Sequence, residues 1–150
     1  MTRMTVDQAI ALAHTHLAEG RAALAESVCH AVLSQSPDEP RAHAILATLF
    51  HAVGKLAAAA EHWRRVAALC PDWPDAHNNL GVVLESLGRH EEAEAACRRA
   101  IALRPGLAEA ECNLGNALRA QGRTAEAEAA MRRALALQPR NIATWHNLAG

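Results

Sequence analysis

The chain has 150 residues, 51% of them hydrophobic and 21% charged, which is the size and balance of one folded domain and excludes disorder. A formal charge of -1 and a pI near 6.7 leave no global field to draw nucleic acid or an anionic membrane. Tyr is absent and Phe occurs once, so Ala and Leu must build the core, which suits close-packed helices better than a sheet.

The first apolar stretch, 6–19, is interrupted by Asp7, His14 and His16, so it predicts a helix and neither a signal peptide nor a membrane span. Gly20 ends it, a second helix is expected over 22–35, and Pro37 closes that one. The same grammar then recurs. Pro37, Pro71, Pro105 and Pro139 are 34 residues apart, as are Gly20, Gly54, Gly88 and Gly122. Ala25, Ala59, Ala93 and Ala127 keep the period, and so do Leu12, Leu46, Leu80, Leu114 and Leu148. The frame divides one array into repeats at 6–39, 40–73, 74–107 and 108–141, with a partial fifth over 142–150. The third and fourth agree at 18 of 34 positions. The later helices are expected at 40–53, 56–69, 74–87, 90–103, 108–121, 124–137 and 142–149. Pro40 and Pro74 fall in a first turn, where the missing N–H does no harm.

Packing follows from the period. Leu80, Gly81 and Leu84 share one face of their helix, and Ala93, Cys97 and Ala100 form the stripe that meets it. Gly81 and Gly115, with Ala13, Ala47 and Ala149 in the same row, leave room for a neighbouring helix. One helix pair cannot bury its apolar faces alone, but stacked pairs can. Glu61–Arg65, Glu94–Arg98 and Glu128–Arg132 are expected as i,i+4 ion pairs on the outer face, each contributing roughly 0.2–0.5 kcal/mol. Cys29, Cys70, Cys97 and Cys112 match no zinc or redox spacing, so a reducing, cytoplasmic compartment is expected, with Cys29 and Cys97 acting as small core residues.

The stretches "NNLGVVLESLGRHEEAEAACRRAIALRP" and "CNLGNALRAQGRTAEAEAAMRRALALQP" resemble the tetratricopeptide repeat family, and the likeness runs through nearly the whole chain. It implies an all-α fold: a right-handed superhelix, or α-solenoid, of antiparallel helix pairs, with first helices lining a concave face. The usual aromatic at the fourth place of each repeat is His43, His77 and Glu111 here, and only Trp145 keeps it. The second-helix aromatic place holds Cys29, Trp63, Cys97 and Met131. These departures are expected to loosen packing without threatening the fold. "HNNLG", "CNLGN" and "HNLAG" look most like the repeats that precede the catalytic region of O-linked N-acetylglucosamine transferases. That likeness covers the repeats alone.

Asn79, Asn113 and Asn147 recur in one register, which in the resembled fold faces the concave groove. An amide carries a donor and an acceptor, so a row of them suits the backbone of an extended peptide. The other reading is that each Asn bridges groups between repeats. Asn78, Asn116 and Arg119 complete the candidate groove, with His14, Arg41, His51, Glu85, Cys112 and His146 at neighbouring positions. The row is confined to the C-terminal half, because Ala11 and Ile45 hold its places earlier. The expected partner is therefore a protein or peptide, with no nucleic acid and no membrane. No His pair stands at i,i+4, no H-E-x-x-H occurs, and no catalytic set or phosphate loop is seen. No metal, no cofactor and no enzymatic activity are expected.

The sequence stops inside the fifth repeat's first helix. Either that helix caps the fourth repeat with Ile142, Trp145 and Leu148, or the chain continues in a longer protein, which is the favoured reading because a cap carries a polar outer face. An uncovered apolar end invites homo-oligomers through Trp145 and Leu148. The expected function is a protein-interaction scaffold. The alternatives are a structural module stacking through its ends and the substrate-recruiting part of a larger enzyme such as a glycosyltransferase.

Overall fold

The computed structural model describes residues 4–149, save the side chains at 142, 143 and 149. Every regular element among them is a helix: α1 Val6–Ala18, α2 Ala22–Gln35, α3 Pro40–Ala52, α4 Leu56–Leu69, α5 Pro74–Ser86, α6 His90–Leu103, α7 Ala108–Ala120, α8 Thr124–Leu137 and α9 Ile142–Ala149. The chain divides into two compact units, Met1–Pro71 and Asp72–Gly150. Unit 1 holds α1–α4 and unit 2 holds α5–α9.

The helices fall where the repeat frame puts them, with one consistent difference. The first helix of each complete pair ends a residue early, because Glu19, Val53, Leu87 and Gln121 are caps whose backbone N–H groups still reach back to the helix. The next residue then turns the chain with positive φ. Gly88 and Gly122 do so in unit 2, at 72° and 76°, where a Cβ would meet the following backbone. Pro40 and Pro74 stand at the first turns of α3 and α5.

In unit 1 the core is Ala13, Ala25, Cys29, Ile45, Leu46, Ala59, Trp63 and Val66. Its packing has a second component that the repeat pattern does not contain. His43 sets its Nε2 2.8 Å from the Pro37 carbonyl and its Nδ1 2.8 Å from Nδ1 of His62. A carbonyl only accepts, so His43 donates from Nε2, and its bare Nδ1 accepts from His62. The Phe50 ring lies 5.5 Å from that of His62. Burial, followed by the neighbouring His43 and His30, holds His62 below the usual imidazole range, against a weaker pull from Glu61. The fourth-place histidine thus ties α3 to α4 instead of loosening the packing.

The sign of the pH effect follows. The unfolded chain takes up a proton at His62 near the ordinary value of about 6.5, before the folded chain does. Stability is therefore full above that value and falls as pH drops through it toward the lowered folded value. Urea unfolding of unit 1 between pH 8 and pH 5 should show a steeper acid loss in the native chain than in His62→Gln. Equal slopes would sink this assignment.

In unit 2 the stripe Ala93, Cys97 and Ala100 is buried, as are Leu80, Gly81 and Leu84. A Cβ added at Gly81 would stand 2.7 Å from Cys97 Sγ. One added at Gly115 would stand 2.7 Å from Met131 Cγ. These glycines let α5 meet α6 and α7 meet α8 closely. Leu114, Leu118, Cys97, Ala127 and Ala130 form one cluster. All four cysteines are free. Burial pushes the Cys29 thiol up to about 11, and burial with lesser effects of Glu85 and Cys112 pushes Cys97 up to about 12.

The surface pairs differ in part from expectation. Arg98 binds Glu94 at 2.7 Å and Arg132 binds Glu128 at 3.1 Å, both at i,i+4. Glu61 and Arg65 do not pair. Arg65 reaches Asp38 in the loop before α3, and Arg64 stands 3.9 Å from Glu61. In unit 2 Arg99 repeats the longer reach, to Asp72 at 3.2 Å. A carboxylate fixed in a turn costs less side-chain entropy to hold than a second flexible helix side chain.

Candidate functional site: the amide row of unit 2

The six candidate groove residues all belong to unit 2, on its first helices α5, α7 and α9. They do not behave alike. Asn78 is 4% exposed, and its Oδ1 accepts from Asn113 Nδ2 at 2.9 Å. Asn147 Nδ2 donates to Asn116 Oδ1 at 3.1 Å, with Cys112 Sγ 3.9 Å away. Arg119 Nη1 donates to the Asn147 carbonyl at 2.6 Å. These bonds link α5 to α7 and α7 to α9. Part of the row thus bridges successive repeats, which is what a polar side chain in a helix interior needs when it leaves water.

Asn79 stands apart. It is half-buried, and among the described residues its side-chain amide has no hydrogen-bond partner. Asn113 spends one of its two amide hydrogens on Asn78, and no hydrogen bond to its Oδ1 is found among the described residues. Both are half-buried, so each can still present polar atoms to a ligand. Of the neighbouring positions, Glu85 is engaged by His90, with Nδ1 to Oε2 at 2.7 Å. In unit 1, Arg41 is bound by Glu39 and Asp7, at 2.7 and 2.8 Å. Those two carboxylates hold its guanidinium firmly protonated, and Arg41 in turn, chiefly by its hydrogen bond, holds Glu39 below the usual carboxylate range.

At the chain's far end Trp145 is 53% exposed and donates its indole N–H to the Pro139 carbonyl at 3.0 Å. Leu148 is half-buried and lines a cleft with Ala127 and Met131 of α8. The Ile142 side chain, expected beside them, falls outside the described residues.

One cluster escaped the sequence reading. Glu111, at the fourth place of its repeat, is 5% exposed and bound by Arg133, with Nε 3.0 and 3.1 Å from its two carboxylate oxygens. The signal was in the period. Arg65, Arg99 and Arg133 share a register, and their partners Asp38 and Asp72 share another, but the third member of that second register is Gly106. Arg133 has no turn carboxylate to reach and takes Glu111.

Among the described residues no three His, Cys, Asp or Glu side chains stand where they would hold a metal ion. No helix among them is long and apolar enough to cross a membrane.

No curated protein sequence matches the chain. Solved structures do. A MamA fragment of Desulfovibrio magneticus RS-1 superposes with a TM-score of 0.86 at 20% identity, over 93% of this chain and 79% of that one, a likeness of fold alone. A second MamA structure gives 0.82 at 25% identity, over 91% and 74%. PilF of Pseudomonas aeruginosa gives 0.83 at 26% identity, over 95% of this chain and 65% of PilF. Such neighbours support a protein-interaction scaffold in general terms. The family model described as Tetratricopeptide repeat matches residues 74–140, and one described as TPR repeat matches 47–88. With helix pairs in a 34-residue frame and both models falling on them, the chain belongs to the tetratricopeptide repeat family.

Proposed function

We propose that unit 2 binds an extended segment of a partner protein along its first helices, through Asn79, Asn113, Asn116, Arg119 and Asn147, with Asn78 holding the row in register. The observation that carries this is Asn79: a half-buried amide, with no partner among the described residues, beside a row whose other members are fixed. A fixed row presents its remaining donors and acceptors with little entropy left to lose on binding. Amides pair with peptide groups whatever the side chains, so the site would tolerate many sequences, and flanking residues would supply preference. The same row underlies the likeness to the repeats of O-linked N-acetylglucosamine transferases, and recruitment of substrate segments to a larger enzyme would use the same chemistry.

The test is binding to a diverse peptide library. Asn79→Ala removes an amide that no described residue uses, so it should leave helicity unchanged while weakening peptide binding. Adding Asn113→Ala should bring the loss to about tenfold or more, since each hydrogen bond contributes about 0.5–1.5 kcal/mol net. If both variants bind like the native chain, the row is a bridge between repeats and nothing else. Growth in size with concentration, abolished by Trp145→Ala, would instead favour assembly through the exposed end.

A further inference from the structure

A cleft of about 280 Å³ opens in unit 1 between α1 and α2. Met4, Ala9, Leu12, Val28 and Ala31 give it apolar walls, and the buried Val32 lines it too. The walls are within reach of a ligand. Met4 is 53% exposed, Ala31 is exposed, and Ala9, Leu12 and Val28 are half-buried. None of these residues belongs to the amide row, so the cleft stands or fails independently of the function proposed above.

The repeat register shows what sets this cleft apart. Ala9, Val28, Met4 and Ala31 stand one period before His43, His62, Asp38 and Arg65. In the second repeat those four places hold two packed rings, with centroids 5.1 Å apart, and an ion pair. The ion pair recurs in unit 2 as Asp72–Arg99. In the first repeat all four places are apolar at once. Two rings have given way to a methyl and an isopropyl group, so volume is lost on the cleft's own walls. Both charges have gone from its mouth, and no ionised residue among those described lines it. The two polar residues of the lining, Thr5 and Gln35, are already engaged, Thr5 with Gln8 in both directions.

An ionised or strongly polar group entering such a place would leave water without gaining a partner. An apolar group would exchange water for Leu12, Val28 and the flexible thioether of Met4, which adapts to what it meets. Charge then separates the carriers of such a group. From residue 4 to residue 35 the permanent charges are Asp7, Glu19 and Glu26 against Arg21, which is paired with Glu19 at 2.9 Å. An anionic lipid headgroup or a fatty-acid carboxylate meets an excess of negative charge along that stretch, whereas a peptide backbone brings no charge of its own. A polypeptide carrier also suits the interaction-scaffold role that the fold neighbours support. We infer that this cleft receives one apolar side chain of about leucine size from a partner polypeptide, seated against Leu12 and Val28 and covered by Met4.

The probe is N-acetyl-leucinamide titrated into the full chain, followed through methyl NMR resonances. The Leu12, Val28 and Val32 methyls should shift together. N-acetyl-asparaginamide has nearly the same outline with a polar end, and should bind about tenfold more weakly or worse. Met4→Asp combined with Ala31→Arg writes the ion pair of the second repeat into the first. Both places are exposed and arginine is a good helix former, so native helicity should be kept while the shifts are lost. Silence of those methyls up to the solubility limit would overturn the inference. So would equal binding of the two amides, or shifts that survive the double variant. Sedimentation of the chain with phosphatidylglycerol vesicles, lost in the double variant, would give the cleft to lipid and overturn it. Shifts that arise on concentrating the chain alone and vanish in Trp145→Ala would put a second copy there and overturn it as well.

Discussion

Gly115→Val is expected to destabilise unit 2 by about 3 kcal/mol, the upper end of what overpacking a close helix contact costs. The reason lies in which atoms would have to move. A single Cβ at this place stands 2.7 Å from Met131 Cγ, 3.1 Å from Met131 Cε and 3.2 Å from the Ala127 carbonyl oxygen. Methionine can change rotamer, but the Ala127 oxygen is helix backbone, and moving it moves α8. Valine adds two more methyls at the same spot. Its better helix propensity returns a few tenths of a kcal/mol at most. Gly81→Ala is the informative comparison. There the nearest atom is the Cys97 thiol, and the backbone oxygen of Ala93 is at 3.4 Å, an ordinary contact. Its cost should be clearly smaller. Urea unfolding followed by circular dichroism measures both, and a loss below 1 kcal/mol for Gly115→Val would mean that α7 and α8 are not locked at this distance.

Arg133→Ala should cost unit 2 about 2 kcal/mol near neutral pH, while Arg65→Ala should cost unit 1 less than about 1 kcal/mol. The two arginines share a register and differ in what they leave behind. Asp38, freed by loss of Arg65, has a side chain 63% exposed, and water replaces the guanidinium. Glu111, freed by loss of Arg133, has a side chain 7% exposed and no other ion-pair partner among the described residues. A carboxylate stranded there keeps its desolvation cost and loses its compensation. Urea unfolding of the two variants at pH 7 checks the difference. Equal small costs at pH 7 would show that water reaches Glu111 once Arg133 is gone.

The repeat was legible because its marks are set by backbone and volume. Gly20, Gly54, Gly88 and Gly122 must turn with positive φ, and Ala25, Ala59, Ala93 and Ala127 must fit where helices nearly touch. Such demands leave the same residue at the same spacing in each copy. The polar partnerships were less legible, since they depend on which acceptor is nearest after folding. Glu61 and Arg65 have the right helical spacing, yet Asp38 in the turn wins. Asn78 and Asn113 are 35 residues apart, so their bond appears only once α5 and α7 lie side by side. The amide row was visible as a pattern, but its division into bridging members and Asn79, without a partner among the described residues, was not. Glu111 looked like a lapse from an aromatic place. Its meaning needed Gly106 and Arg133 to be read together with it.

Each unit also carries its own chemical clock. Cys29 lies at the heart of unit 1 and Cys97 at the heart of unit 2, and burial keeps both as protonated thiols well above neutral pH. An alkylating reagent needs a thiolate and a path to it, so neither is modified until its own helices part. Cys70, only half-buried, supplies a reference for reagent reactivity in the folded chain. The rate at which each buried thiol is capped therefore times the opening of the unit that holds it, without any added label. A partner segment that settles on the first helices of unit 2 should slow the clock at Cys97 and leave the one at Cys29 running at its own pace.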